Sequence, residues 1–136
     1  MRDLKSDIAI AQSIAPETRT ANVTGTPVDR QGFESVTALV HVGTWVNGGF
    51  TFGADDSEDG AAWDAVDAKF LIGEVVVEDN GFSPAGANDA NSTQAVGYIG
   101  SRRYFRPKIT VAGSPATGCF IGVDVVLGHA HARPTS

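Results

Sequence analysis

The stretch ADDSEDGAAWDAV (54–66) crowds four acids ahead of a glycine and follows them with a tryptophan. Asp55, Ser57, Asp59 and Gly60 fall on the first, third, fifth and sixth positions of a calcium loop of the EF-hand type. In such a loop a sharp glycine turn lets alternate oxygens converge on the ion. The twelfth position must supply a bidentate Glu and is Val66, the ninth is Trp63, and neither FTF nor WDAV reads as a flanking helix. The helix–loop–helix reading is rejected, leaving Asp55, Ser57 and Asp59 as candidates for a looser calcium turn. As a catalytic pair the carboxylates lack the two contrasting environments, one of them dry, that general acid–base work needs. The sequence favours a solvated hairpin tip projecting charge outward, with Trp63 and Val66 returning the chain to the core.

The other reactive side chains point the same way. His41 sits on a strand face beside Thr37 and Leu39, and His129 and His131 form an H-x-H pair in an expected tail without an obvious carboxylate partner. The single cysteine, Cys119, excludes an internal disulfide and falls among inward-facing residues, as a small core side chain does. No nucleophile elbow, phosphate loop or dinucleotide fingerprint occurs. The expectation is a protein that is not an enzyme and takes no cofactor. Arg102, Arg103, Arg106 and Lys108 form a basic cluster in a chain of net charge −6. They read either as an outer strand face paired with local acids or as a docking patch for an acidic protein surface.

Positioning these groups is a β framework. Sixteen glycines and six prolines in 136 residues favour short elements with many turns, in one domain large enough for a single core. In SVTALVHVGTW, Val36, Ala38, Val40 and Val42 alternate with Thr37, Leu39 and His41, the period of a half-buried strand. Asn47-Gly48 predicts a hairpin turn before FTF. WDAVDAKFLIG places Val66, Ala68, Phe70 and Ile72 on one side of a strand or short helix. EVVVED is a β-branched strand, and 80–94 a long polar loop. Phe105, Pro107, Ile109 and Val111 alternate in a strand that Pro107 assigns to an edge or a bulge. Cys119, Ile121, Val123, Val125 and Leu127 alternate in the last strand, joined by the hairpin-sized AGSPATG. The predicted fold is all-β: a single-domain antiparallel β-sandwich or barrel, jelly-roll-like. Residues 1–30 read as an extended N-terminal arm or as an edge strand on the protein's own core. Residues 31–128 are the domain and 129–136 a tail. The acidic balance argues against nucleic acid, and the N-terminus, with Asp3, Lys5 and Asp7, shows neither a signal core nor a membrane span. A soluble protein made in the cytoplasm is expected.

The ordering VDRQGFESV…VHVGT…DDSEDGAAWDAV…VGYIGSRRYFRPKITVAG…GVDVVLGHAHARP resembles small virion proteins of tailed bacteriophages, of the head decoration or cement type. The resemblance covers most of the chain and is most specific at VGYIGSRRYFRP (96–107). It implies a β-rich subunit on the capsid surface of the virion, bound to the major capsid protein and often oligomeric, as a dimer or trimer. On that reading the docking residues are Ile8, Ile10 and Ile14 of the arm with Arg102, Arg103, Arg106 and Lys108. A neck or tail component of the same particle is an alternative. SEDGAAWDAV with RYFRPKITV also resembles the discoidin-like sandwich, which implies a carbohydrate-binding module with a structural calcium, and Trp45, Phe50 and Phe82 as sugar-stacking candidates.

Overall fold

The computed structural model describes residues 3–73, 75–77, 91–113 and 115–131. A 3-10 turn (Lys5–Asp7) leads into β1 (Ala9–Arg19), β2 (Val23–Thr24), β3 (Val28–Asp29), β4 (Phe33–Trp45), β5 (Gly49–Ser57) and β6 (Asp64–Ala65). A second 3-10 turn (Ala68–Phe70) precedes β7 (Leu71–Ile72) and β8 (Val76–Val77), and β9 (Ser92–Tyr98), β10 (Tyr104–Ala112) and β11 (Cys119–Ala130) follow among the described residues. A five-stranded sheet runs β1-β11-β4-β9-β7; a six-stranded sheet is built on β2-β10-β5-β6, with β3 beside β10 and β8 beside β5. All pairings are antiparallel. The fold is a two-sheet β-sandwich.

The alternations in β4 and β11 build one wall of its core. Val36, Ala38, Val40 and Val42 are buried beside Ile121, Val123, Val125 and Leu127, and face Phe50, Phe52, Phe105 and Ile109 of the other sheet. Each of these valine, leucine, isoleucine and phenylalanine side chains removed from water contributes about 1.5–3 kcal/mol, which makes this layer the main source of stability.

Connectivity departs from the sequence reading in several places. β4 and β5 form no hairpin: β4 is flanked by β11 and β9, so the chain must cross to the other sheet. A type I′ turn needs positive φ at both central residues, yet only Gly48 (φ 88) has it. The Asn47 side chain instead accepts the Gly118 N–H (2.8 Å), and the Trp45 indole N–H donates to the Gly48 carbonyl (2.8 Å). AGSPATG likewise crosses between sheets. Segment 66–72 is neither one strand nor a helix but a 3-10 turn and a short strand, with Phe70 and Ile72 exposed. Pro107 lies at no bulge and no outer edge. β10 has β5 on one side and β2 and β3 on the other, and β2 and β3 are interrupted opposite Pro107, where its carbonyl accepts the Gly25 N–H (2.7 Å).

The ends are built into the domain. Residues 9–19 are the edge strand β1 on β11, and β2 and β3 pair with β10, so 1–30 is no separate arm. β11 runs to Ala130, paired with Phe33, and the His131 N–H reaches the Gly32 carbonyl (2.8 Å), carrying order past the expected tail boundary. β9 starts inside the expected 80–94 loop; the loop up to residue 90, Phe82 included, and the end of the tail, 132–136, lie outside the described residues.

Candidate functional site

The acids of the opening stretch are divided among three environments. In β5, Asp55 faces outward and Asp56 inward, as strand alternation requires, and both carboxylates are buried along with Ser57. Asp55 stands opposite Arg106 and accepts from its guanidinium (3.1 Å) and from the Lys108 ammonium (2.8 Å); Arg106 also stacks 4.1 Å above the Trp63 ring. Asp59 accepts the N–H groups of Ala61 (2.8 Å) and Ala62 (3.0 Å) and the Ser57 hydroxyl (3.0 Å), and these bonds hold its carboxyl down at about 2. The calcium candidates Asp55, Ser57 and Asp59 are thus engaged by cations, by loop amides and by each other. Only the loop beyond Ser57 is the wet tip the sequence suggested.

Asp56 is the unexpected member. Its Oδ2 accepts the Tyr98 hydroxyl (2.6 Å) across the sandwich, and Arg102 lies 3.5 Å from Oδ1. Burial first, and this bond second, push the Tyr98 phenol up to about 12. A raised folded-state value stabilises fully below the ordinary value of 10.0 and is lost as pH rises towards 12. Two results are expected. Alkaline unfolding curves should show stability falling between those pH values, and Tyr98→Phe should flatten that fall. Tyr98→Phe should also cost about 1–3 kcal/mol in urea titration, because it strands a buried carboxylate oxygen.

The basic cluster is matched residue by residue. Arg102 meets Asp64 (2.6 Å), Arg103 grips Asp29 with two bonds (2.9 and 2.7 Å), and Arg106 and Lys108 share Asp55. Arg103 holds the Asp29 carboxyl below its usual range. These pairs staple β3, β5 and β6 to β10 and its leading turn. The outer face of the six-stranded sheet is therefore charged and internally compensated.

The histidines have partners the sequence concealed. His41 Nε2 lies 3.0 Å from Asp124 and Nδ1 3.3 Å from the Thr93 hydroxyl. His131 contacts Glu34 and His129 contacts Ser35, so the H-x-H pair is split between two partners on β4. Cys119 is fully buried, and desolvation raises its thiol to about 11. The folded protein should resist thiol reagents at neutral pH and react completely in denaturant; rapid labelling of the native state would contradict this placement.

The outer face of the five-stranded sheet differs in kind. One cross-strand row holds Ile10, Val126, Thr37, Gly97 and Ile72, from β1 to β7. The next holds Gln12, Asp124, Leu39 and Ala95. Ile10 is 64% exposed, Ile72 61% and Phe120 43%, and Leu4 and Ile99 stand bare at one end. The Phe120 ring lies over Gly43, where an added Cβ would meet it at 3.0 Å. Of the expected docking residues Ile10 belongs to this face, and Ile8 lines a cleft at its end with Leu4, Ser35, Thr37 and Val126. Ile14 is corrected to the core at 1% exposed: a register shift between Gln12 and Ile14 turns it inward. Leu39, Ile72, Ile99, Phe120 and Val126 were missed; the only sequence signal was their place in the outward phase of each strand. Of the sugar-stacking candidates, Phe50 is in the core and Trp45 is half-buried with its N–H occupied.

No protein-family model matches the chain, and no curated protein matches it. Among solved structures, the PBSX exported protein XepA superimposes on 94% of this chain with a TM-score of 0.53 at 17% identity. The chain spans only 39% of that protein's length. A protein of the disulfide-linked pili of Bacillus endospore appendages aligns over 90% of this chain and 88% of its own (TM-score 0.42, 11% identity). The CBM32 of AlyQ, solved with 4,5-unsaturated mannuronic acid, aligns over 91% and 96% (TM-score 0.39, 14% identity). The XepA match shows a shared β-sandwich fold.

Proposed function

We propose that this chain is a non-catalytic structural subunit of a tailed-phage head, in which the outer face of its five-stranded sheet is buried in a protein–protein contact. The observation that carries this reading is the contrast between the two outer faces. One is charged and stapled to itself; the other presents Ile10, Ile72, Phe120, Leu4 and Ile99 to solvent. Burying exposed isoleucines against protein stabilises a contact by about 1.5–3 kcal/mol each, and a repeated lattice multiplies modest contacts. The VGYIGSRRYFRP resemblance and the sandwich shared with XepA support the assignment. On this reading the chain is carried on a lattice of the major capsid protein, and the contact at this face forms in the assembled particle. Among the described residues no helix is long and apolar enough to cross a membrane.

The test is a double substitution, Ile10→Lys with Ile72→Lys, in the phage. Both side chains are exposed, so the isolated domain should keep its unfolding midpoint within about 0.5 kcal/mol, as surface changes do. Purified particles should lose most of their copies of this chain. Wild-type copy number on variant particles would overturn the assignment of this face, and absence of the chain from wild-type particles would overturn the function.

A further inference from the structure

We infer that the apolar face of the five-stranded sheet is covered by a second copy of this chain, packed face to face about a two-fold axis that runs along β4. The inference rests on the reading of that face as a protein contact and names its occupant.

The cross-strand rows are symmetric about β4. A two-fold axis along β4, lying between the two faces, exchanges β1 with β7 and β11 with β9. The row Ile10, Val126, Thr37, Gly97, Ile72 then meets its own reverse. Ile10 lies over the partner's Ile72, and the branched Val126 lies over the hollow at the partner's Gly97. Thr37 lies against its own copy. In the next row Leu39 meets the partner's Leu39, and Asp124 stands over the partner's Ala95. At the end of the sheet, Leu4 shares a cleft with Ser35 and Gly128 on the β11 side, while Ile99 follows β9 on the other. The same operation carries Leu4 to the partner's Ile99. In the Ile10–Ile72 row and at this end of the sheet, exposed apolar groups meet apolar groups across the axis, as a self-complementary patch requires.

Charge does not oppose this packing. The ionisable group in these rows is Asp124, paired at 3.0 Å with His41 of the adjoining row, and at the end of the face Asp7 and His129 line the cleft beside Leu4, His129 in contact with Ser35, so Asp124 enters the contact as a pair. The size is also informative. Five strands about 4.8 Å apart, and the nine-residue reach of β11 from Phe120 to Gly128, bury roughly 1,000 Å² in total. That is the lower limit for a specific interface, so a concentration-dependent dimer is expected rather than an obligate one.

Sedimentation across a concentration series gives the first test. The wild type should pass from monomer to dimer; Ile10→Lys and Ile72→Lys should each hold it monomeric. Thr51→Lys, on the outer face of the other sheet, should leave the dimer unchanged. Circular dichroism and the unfolding midpoint check that each variant is folded. Register is tested by mixing Ile10→Cys chains with Ile72→Cys chains and adding a short bis-maleimide, Cys119 being buried. Bridged dimers should form in the mixture and be at least several-fold scarcer with either variant alone, whose thiols stand about 19 Å from their own copies. A wild type monomeric at all concentrations, a dimer lost only with Thr51→Lys, or equal bridging in all three samples would overturn the inference. A dimer in solution with the chain missing from particles would instead overturn the proposed function and leave the dimer standing.

Discussion

Phe105→Ala is expected to destabilise the isolated domain by about 3–5 kcal/mol, the usual cost of emptying a fully buried aromatic site. Phe105 is 0% exposed and sits in β10 between β5 and the broken β2–β3 edge. Its ring centroid is 4.8 Å from that of Tyr98, whose hydroxyl bonds Asp56. Truncation removes the packing and also loosens the one side-chain hydrogen bond that joins Tyr98 in one sheet to Asp56 in the other. Phe105→Leu restores most of the volume, so it should cost distinctly less, and the Tyr98–Asp56 bond should survive in it. Urea unfolding of the two variants measures the difference; equal costs would mean that the filled volume contributes little and that the loss belongs to the aromatic ring itself.

Gly118→Ala should be at least as damaging. Gly118 has φ 82, and a Cβ there would stand 1.9 Å from the Arg19 carbonyl oxygen, a backbone atom that cannot rotate away. The left-handed conformation alone costs an L-residue about 1–2 kcal/mol, and displacing the end of β1 adds to it, for a total above about 3 kcal/mol. The damage spreads because the Gly118 N–H donates to Asn47 and its carbonyl accepts the Val46 N–H (3.0 Å). These bonds fix the corner at which the chain changes sheets. Gly32→Ala provides the comparison: φ is 94, but nothing lies within 4 Å of the added Cβ. It should show the conformational cost without the clash. Similar midpoints for the two variants would contradict the close approach at Gly118.

The strands were legible in the sequence because inward and outward residues alternate with a period of two. Val36 to Val42 and Ile121 to Leu127 needed no further information. Their neighbours were not legible. Asn47-Gly48 carries local hairpin chemistry, but both sides of β4 are occupied by strands far away in sequence, and that decides where β5 goes. Asp55 and Asp56 read as solvated because their partners, Arg106, Lys108 and Tyr98, lie more than forty residues on. Ile10 could be read as exposed and Ile14 could not be read as buried, since one bulge in β1 reverses the phase between them. The apolar face was invisible for a related reason: its residues come from five strands and become a surface only when register aligns them.

A cryo-electron microscopy map of purified particles tests the central claim most directly. It should show this sandwich on the head with the Ile10–Ile72 row covered by protein and the Asp55–Arg106 face turned to solvent. A map with the chain absent from the particle, or with the Ile10–Ile72 row open to solvent, would contradict it.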